Sequence, residues 1–234
     1  MPQHMDFNEC SPRRWDVLNL VISMIGAVIL LSSLPAHGAA PIPPSQFHQL
    51  AVPILGVTLN QEHQPVGVVT QVVIHFEQRP DQNGLQLRFR VDPGRFSPYA
   101  QQAVSTAITR SSEAAHLATD SWTIYLTFPY HGLTMYGDSL SAMVGLSVVA
   151  MAKGDDMIFG RTVTGTITKD GHIGVVGGIP FKVAAAYAEN MHRILIPEER
   201  DVSDDEWQTP FMMQVSPVGT LAKAYYGLTG HPLH

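Results

Sequence analysis

A serine and a lysine have the spacing and the local setting of a nucleophile–base pair. Ser139 lies in the turn 137–141 (GDSLS), and Lys182 follows 43 residues later, after the turn 177–181 (GGIPF). Each turn is predicted to open a helix. A serine hydroxyl becomes an effective nucleophile when a base removes its proton, and a neutral lysine amine can be that base. The pair therefore predicts a hydrolase, and a peptidase in particular.

The sequence around Lys182 favours a neutral amine. The apolar neighbours Ile179, Phe181 and Val183 predict burial, which lowers the pKa of lysine because the ammonium loses its water. Lys182 also falls at about the third position of its predicted helix, where the macrodipole disfavours a positive charge. Backbone N–H groups at the start of the Ser139 helix can stabilise an oxyanion.

Each of these residues also has an ordinary interpretation, and no metal or cofactor is predicted. Serine is a common helix cap and lysine a common surface residue, so spacing alone leaves a purely structural role open. The histidines lack an H-E-x-x-H or C-x-x-C pattern, and His231 and His234 are predicted to lie in a frayed tail. The acidic residues 201–206 lack EF-hand spacing and are predicted to form a solvated loop.

An alternation of strands and helices is predicted to position the pair. Alternating apolar residues predict strands at 66–77 and 85–91, joined as a hairpin by the turn 79–84. Helical spacing predicts a deeply buried helix after Ser139. The other predicted elements are helices at 98–116, 181–190 and 217–227, strands at 122–128 and 193–196, and a hairpin of 161–168 with 172–176 around 170–171. The fold class is therefore α/β (α+β).

The N-terminal region has the pattern of an export signal. Arg13 and Arg14 precede the uncharged apolar segment 17–34, and small residues follow it. We therefore expect residues 1–40 to be a signal peptide or a membrane anchor, with membrane association through 15–36. Either one places the rest of the chain outside the cytoplasm, in the periplasm or another extracytoplasmic space. A Pro-rich linker and first strand are predicted at 41–64, and a single domain at 65–230.

Charge and cysteine content narrow the function classes. The 234 residues carry a net charge of −6 without a run of lysine or arginine, which argues against nucleic acid as a partner. The single cysteine, Cys10, precedes the apolar segment, so the exported part is predicted to have no disulfide.

Several short motifs together resemble the proteolytic domain of the Lon proteases. The turn at 137–141 is similar to the GDSxS element around the catalytic serine of archaeal-type Lon. The family's remaining motifs are matched, in order, by residues 164–167 (TGTI), 171–179 (GHIGVVGGI), 193–197 (RILIP) and 215–228, the last of which resembles the final family helix. With the weaker N-terminal parts, the resemblance covers most of residues 65–229.

The resemblance implies a role for each matched residue. Ser139 would be the nucleophile and Lys182 the general base and later the acid. Thr164 would help to hold the lysine, and Asp138 and Gly137 would support the nucleophile turn. The implied fold has mixed sheets, an N-terminal hairpin and buried helices. Two positions depart from the family: Tyr136, where many members have an acidic residue, and Thr166, which is often glutamate in bacterial Lon.

The resemblance also implies a proteolytic domain without the ATPase module. The sequence contains no G-x-x-x-x-G-K-[ST] phosphate loop. We therefore expect an ATP-independent serine endopeptidase that cleaves unfolded or flexible polypeptides by a Ser–Lys dyad. Because the family's proteolytic domains associate in rings, a homo-oligomeric ring is also expected.

Two other interpretations compete with a peptidase. Residues 137–140 spell the GDSL motif of lipases and esterases, but at least three predicted strands and a helix precede them, and the partner D-x-x-H motif is missing. A non-catalytic exported domain that binds peptides or scaffolds a membrane complex is the other alternative.

Overall fold

The computed structural model describes residues 47–204 and 206–234. The predicted signal peptide or anchor at 1–40 lies outside them. Within the described part of the chain, no helix has the length and hydrophobicity that a membrane crossing requires.

A four-stranded sheet forms the first half of the described chain. Its strands are β1 (Phe47–Leu59), β2 (Pro65–Gln78), β3 (Gln86–Phe89) and β5 (Trp122–Thr127). They lie in the order β1-β2-β5-β3. Strand β1 pairs antiparallel with β2 over its whole length, from the Phe47–Glu77 pair to the Leu59–Pro65 pair.

Shorter sheets and four helices complete the described fold. The remaining strands are β4 (Arg95–Phe96) paired with β6 (Thr134–Met135), β8 (Thr166–Ile167) paired with β9 (Ile173–Gly174), and a parallel sheet of β11 (Gln214–Val218), β10 (Arg193–Pro197) and β7 (Arg161–Val163). The helices are α1 (Pro98–Ala114), α2 (Ser141–Lys153), α3 (Ile179–Ala188) and α4 (Leu221–Thr229). The mixed α/β fold predicted from the sequence is confirmed.

The two faces of the first sheet pack against different helices. Even-numbered residues of β1 and β2, such as Ile54 and Ile74, join the larger apolar core, which contains α2. Odd-numbered Leu55 and Val69 contact a second core that contains Ile179 of α3. Strand alternation thus places the helix that follows Ser139 on one face of the sheet and the helix that carries Lys182 on the other.

Helix α2 is enclosed on all sides, as its sequence predicts. Every residue from Ser141 to Ala150 is buried. It packs closely against α1 at Gly145, where a Cβ atom would lie 2.9 Å from the Ala107 carbonyl oxygen. The Ser111 hydroxyl of α1 donates to the Gly145 carbonyl oxygen at 3.0 Å. This close packing holds α2 in place, and with it the end of the turn that precedes the helix.

The predicted hairpin between residues 66–77 and 85–91 is wrong. Strand β2 pairs with β1 instead, and β3 pairs parallel with β5, which lies between β2 and β3. Alternation predicts the faces of a strand but not its partner. The turn 79–84 is linked to β5 by Arg79. The Arg79 guanidinium donates to both the Asp81 carboxylate (2.8 Å) and the Trp122 carbonyl oxygen (2.7 Å).

Two further boundaries differ from the sequence prediction. The segment predicted as a Pro-rich linker with a short strand contains the 13-residue strand β1. Its Pro53 is tolerated because β1 lies at the edge of its sheet, where a missing N–H is not needed. The last helix begins at Leu221 rather than at residue 217, because residues 214–218 form β11 and the Thr220 hydroxyl caps the helix.

Candidate active site

Ser139 is held in a tight turn immediately before α2. Gly137 has a φ of 59°, a left-handed conformation that glycine adopts without strain. The Ser139 carbonyl oxygen accepts the backbone N–H of Gly165 at 2.9 Å, and the Thr164 hydroxyl at 3.4 Å. The next side chain, Leu140, is anchored in the core. The turn is therefore fixed at both ends, whereas Ser139 itself is only half-buried.

A cavity of about 620 Å³ lies beside Ser139. Its walls are the C-terminal end of β1, the start of β2, residues 132–137, Ser139 and Leu140. Thr70 contributes a buried hydroxyl that has no hydrogen-bond partner among the described residues. The other lining side chains are apolar or neutral, and include Leu55, Val57, Val68, Phe128, Leu133 and Met135.

Backbone donors are available at the turn that carries Ser139. Among the described residues, the N–H groups of Ser139 and Leu140 donate no hydrogen bond, whereas the N–H of Ser141 donates to the Asp138 carbonyl oxygen. Unpaired N–H groups that precede a helix suit a developing oxyanion.

Lys182 is the fourth residue of α3 and is buried, with 3% of its surface exposed. Its Nζ donates to the Gly177 carbonyl oxygen at 2.9 Å. Burial lowers the pKa of Lys182 from 10.5 to about 8, although the Asp204 and Asp138 carboxylates act in the opposite direction. A substantial neutral fraction is therefore present near pH 8, as the sequence around Lys182 suggests.

The helix of Lys182 is docked directly on β2. A Cβ atom at Gly67 would overlap the carbonyl oxygen of Phe181, the residue before Lys182. Gly178 approaches β1 in the same way: its φ is +73°, and a Cβ there would lie 2.7 Å from Val57 Cγ2. Val57 also lines the cavity beside Ser139, so one side chain of β1 lies both against the turn before Lys182 and at the wall of that cavity.

Ser139 and Lys182 are not joined by a hydrogen bond in this structure. Within the described residues the Ser139 hydroxyl has no hydrogen-bond partner, and the lysine amine is bonded to Gly177. Asp138, adjacent to Ser139, is nevertheless near enough to act electrostatically on Lys182. Catalytic hydrogen bonds are often loose without substrate. A Ser139–Lys182 dyad would require one of the two side chains to reorient until the hydroxyl and the amine form a hydrogen bond.

The supporting residues predicted from the sequence surround the turn. Thr164 is buried, and its hydroxyl is paired with Ser139, so its predicted contact with Lys182 stays a prediction. The Asp138 carboxylate accepts the Tyr99 hydroxyl at 2.7 Å, which raises the pKa of Tyr99. This tie to α1 is not apparent in the sequence, because 39 residues separate the partners.

The contact of Asp204 with the start of α3 differs from the sequence prediction. Residues 201–206 were predicted to be a solvated acidic loop, but the Asp204 carboxylate accepts the backbone N–H groups of Gly178 (2.7 Å) and Ile179 (3.1 Å). A local capping residue would lie next to the helix, whereas Asp204 is about 25 residues further along the chain. No pattern in the sequence reveals such a contact.

The described residues contain no group of three or more histidine, cysteine, aspartate or glutamate side chains placed to hold a metal ion.

A profile of the Lon protease (S16) C-terminal proteolytic domain matches residues 98–220, more than half of the chain. The chain belongs to the Lon protease family. The Lon match includes Ser139, Thr164 and Lys182, and it identifies the protein as a serine peptidase of the S16 family.

A search of curated proteins found no match to this chain. The family profile over residues 98–220 supports the Lon resemblance of residues 65–229, and the mixed α/β fold agrees with it. Membership of the Lon family also removes the main argument for a GDSL esterase, which rested on the spelling of residues 137–140.

Proposed function

We propose that this Lon-family domain is an ATP-independent endopeptidase in which Ser139 is the nucleophile and Lys182 is the general base. The observation that carries the proposal is a buried lysine with a pKa lowered to about 8, on a helix whose first turn lies against Val57, a side chain that lines the cavity beside Ser139. A surface lysine with an ordinary pKa would be almost fully charged near pH 8, and its ammonium could not accept a proton.

The proposed reaction divides into two acyl-transfer steps. The neutral Lys182 amine accepts the proton of the Ser139 hydroxyl as that oxygen attacks the peptide carbonyl carbon. The N–H groups of Ser139 and Leu140 stabilise the resulting oxyanion. Lys182 then protonates the leaving amine, and the acyl-enzyme forms. Water then attacks the acyl-enzyme carbonyl carbon while Lys182 takes its proton. Lys182 passes that proton to the Ser139 oxygen as the second product leaves, which restores both side chains.

The cavity supports cleavage next to an apolar side chain. Its lining is apolar or neutral, and no charged side chain contributes to it. A buried charge without a partner would be costly there, whereas an apolar side chain gains by leaving water. We therefore expect residues such as leucine or phenylalanine at the scissile bond, in polypeptides flexible enough to enter the cavity.

Location and assembly are proposed from the sequence alone. The apolar segment 17–34 supports export, with or without a membrane anchor through 15–36. The family resemblance supports a homo-oligomeric ring. The expected partners are polypeptide substrates, and no nucleic acid is expected. A non-catalytic peptide-binding role remains the alternative, and an activity measurement separates the two.

The proposed activity is tested by incubating the purified protein with unfolded casein, with and without ATP and Mg²⁺. We expect cleavage at the same rate in both conditions, and none by Ser139→Ala, which serves as the control for contaminating proteases. Cleavage only with added ATP would contradict ATP independence. Hydrolysis of a short acyl ester without cleavage of casein would favour an esterase instead.

A pH dependence follows from the lowered pKa of Lys182. The active form needs a neutral amine, so kcat/KM for an unfolded polypeptide should rise with pH through a midpoint near 8 and then level off. The sign follows from deprotonation, because raising the pH creates the base. A midpoint near the ordinary lysine value of 10.5 would show that burial does not tune this group.

A further inference from the structure

The loop between β10 and β11 reaches the N-terminus of the helix that carries Lys182 through Asp204. Helix α3 begins with N–H groups that have no partner within the helix. Asp204 accepts two of these donors, from Gly178 at 2.7 Å and from Ile179 at 3.1 Å. One carboxylate from a distant loop therefore holds the first turn of α3.

The loop is anchored on both sides of this contact. Met213 is buried in the second core, and Trp207 packs partly against it. Asp201 accepts the backbone N–H of Ser203 at 2.9 Å and its hydroxyl at 2.7 Å, which shapes the approach to Asp204. A Cβ atom at Gly177 would lie 3.1 Å from Asp201 Oδ2, so the loop reaches both glycines of the turn.

Asp204 and Lys182 bind opposite ends of the same peptide group. The N–H of Gly178 donates to Asp204, and the carbonyl oxygen of Gly177, in the same peptide plane, accepts the Lys182 amine at 2.9 Å. A peptide group is planar and rigid. Fixing its N–H therefore fixes the direction of its carbonyl oxygen, and with it the place where the amine rests.

We propose that Asp204 is a positioning residue, which holds the Gly177–Gly178 peptide and thereby sets the resting position of the Lys182 amine. The proposal rests on the function proposed above, in which Lys182 is the base. It gives Asp204 a role in the site beside the turn that carries Ser139 and helix α3.

The charge of Asp204 provides a readout that a purely structural contact would not. Two carboxylates act on Lys182: Asp204 from the loop and Asp138 from the nucleophile turn, both raising its pKa against the effect of burial. Asp204→Asn keeps an oxygen that can accept one N–H but removes the charge. The pKa of Lys182 should therefore fall in this variant.

The test is the titration of Lys182 by NMR in the full-length protein labelled with ¹³C in the lysine side chains. The chain has only four lysines, at 153, 169, 182 and 223, and Lys182→Met assigns the resonance. We expect Asp204→Asn to move the Lys182 midpoint to lower pH. The control is Glu206→Gln, which removes a negative charge from an exposed side chain of the same loop and should leave the midpoint unchanged. An unchanged or raised midpoint in Asp204→Asn overturns the proposal.

An activity measurement completes the test. In Asp204→Ala, kcat for an unfolded polypeptide should fall about 10-fold or more with little change in KM, because a misplaced catalytic group slows the chemical step. Wild-type kcat in this variant overturns the positioning role. If the wild type shows no cleavage that depends on Ser139, the proposed function fails, while the titration still decides whether Asp204 controls Lys182.

Discussion

Lys182→Met is expected to lower kcat/KM for an unfolded polypeptide by about 10⁴-fold or more, a loss comparable with that of a catalytic base in serine proteases. Methionine has nearly the same length and suits a buried site, but it cannot accept a proton. Because a buried lysine is costly to the fold, the variant should be at least as stable as the wild type. The measurements are steady-state proteolysis and thermal unfolding by circular dichroism.

The matched control for this variant is Lys223→Met on α4. Lys223 is exposed and lies outside the cavity lining, so its substitution should leave kcat/KM within about twofold of the wild type. Ser139→Ala should reproduce the loss seen with Lys182→Met, and the double variant should lose little more, since the two residues act as one unit. A fully active Lys182→Met protein with an unchanged fold would remove Lys182 from the mechanism.

Gly67→Ala should have the largest effect on the fold among single-methyl additions. The added Cβ would overlap the Phe181 carbonyl oxygen, which belongs to the backbone of α3 and cannot rotate away. Either β2 or α3 must move, and we expect a loss of about 3 kcal/mol or more in the free energy of unfolding. Since Phe181 precedes Lys182, any shift of α3 also displaces the amine, so kcat should fall together with stability.

Gly56→Ala is the matched control, because Gly56 lies in the same hairpin and pairs with Val68 next to Gly67. Its added Cβ would meet Val68 Cγ2 at 3.4 Å, an ordinary contact. The control should unfold within about 1 kcal/mol of the wild type in urea, followed by circular dichroism. Equal stability of the two alanine variants would show that α3 is not docked on β2 as the structure indicates.

The parts of the site that are local in sequence could be predicted. The apolar residues on every side of α2 indicate a buried helix, and the glycines at 137, 177 and 178 mark the turns that present Ser139 and Lys182. Residues next to Lys182 also indicate the direction of its pKa shift. Each of these features depends on a short stretch of chain, where spacing and residue type carry the information.

The parts that depend on distant residues could not be predicted. The partner of β2 is β1 rather than β3, and alternation of side chains is the same for either choice. The contacts of Asp204 with the start of α3 and of Tyr99 with Asp138 span about 25 and 39 residues. The bond of the Lys182 amine to Gly177 depends on the three-dimensional turn, so this contact could not be predicted from the sequence.

The most direct test of the Ser139–Lys182 assignment is mass spectrometry after reaction with a peptidyl fluorophosphonate that has leucine next to the phosphorus. This reagent forms a stable bond with an activated serine, so the modified peptide identifies the nucleophile. We predict a single adduct on Ser139 in the wild type and an adduct that forms at least about 100-fold more slowly in Lys182→Met. An adduct on another serine, or equal labelling of Ser139 without Lys182, would contradict it.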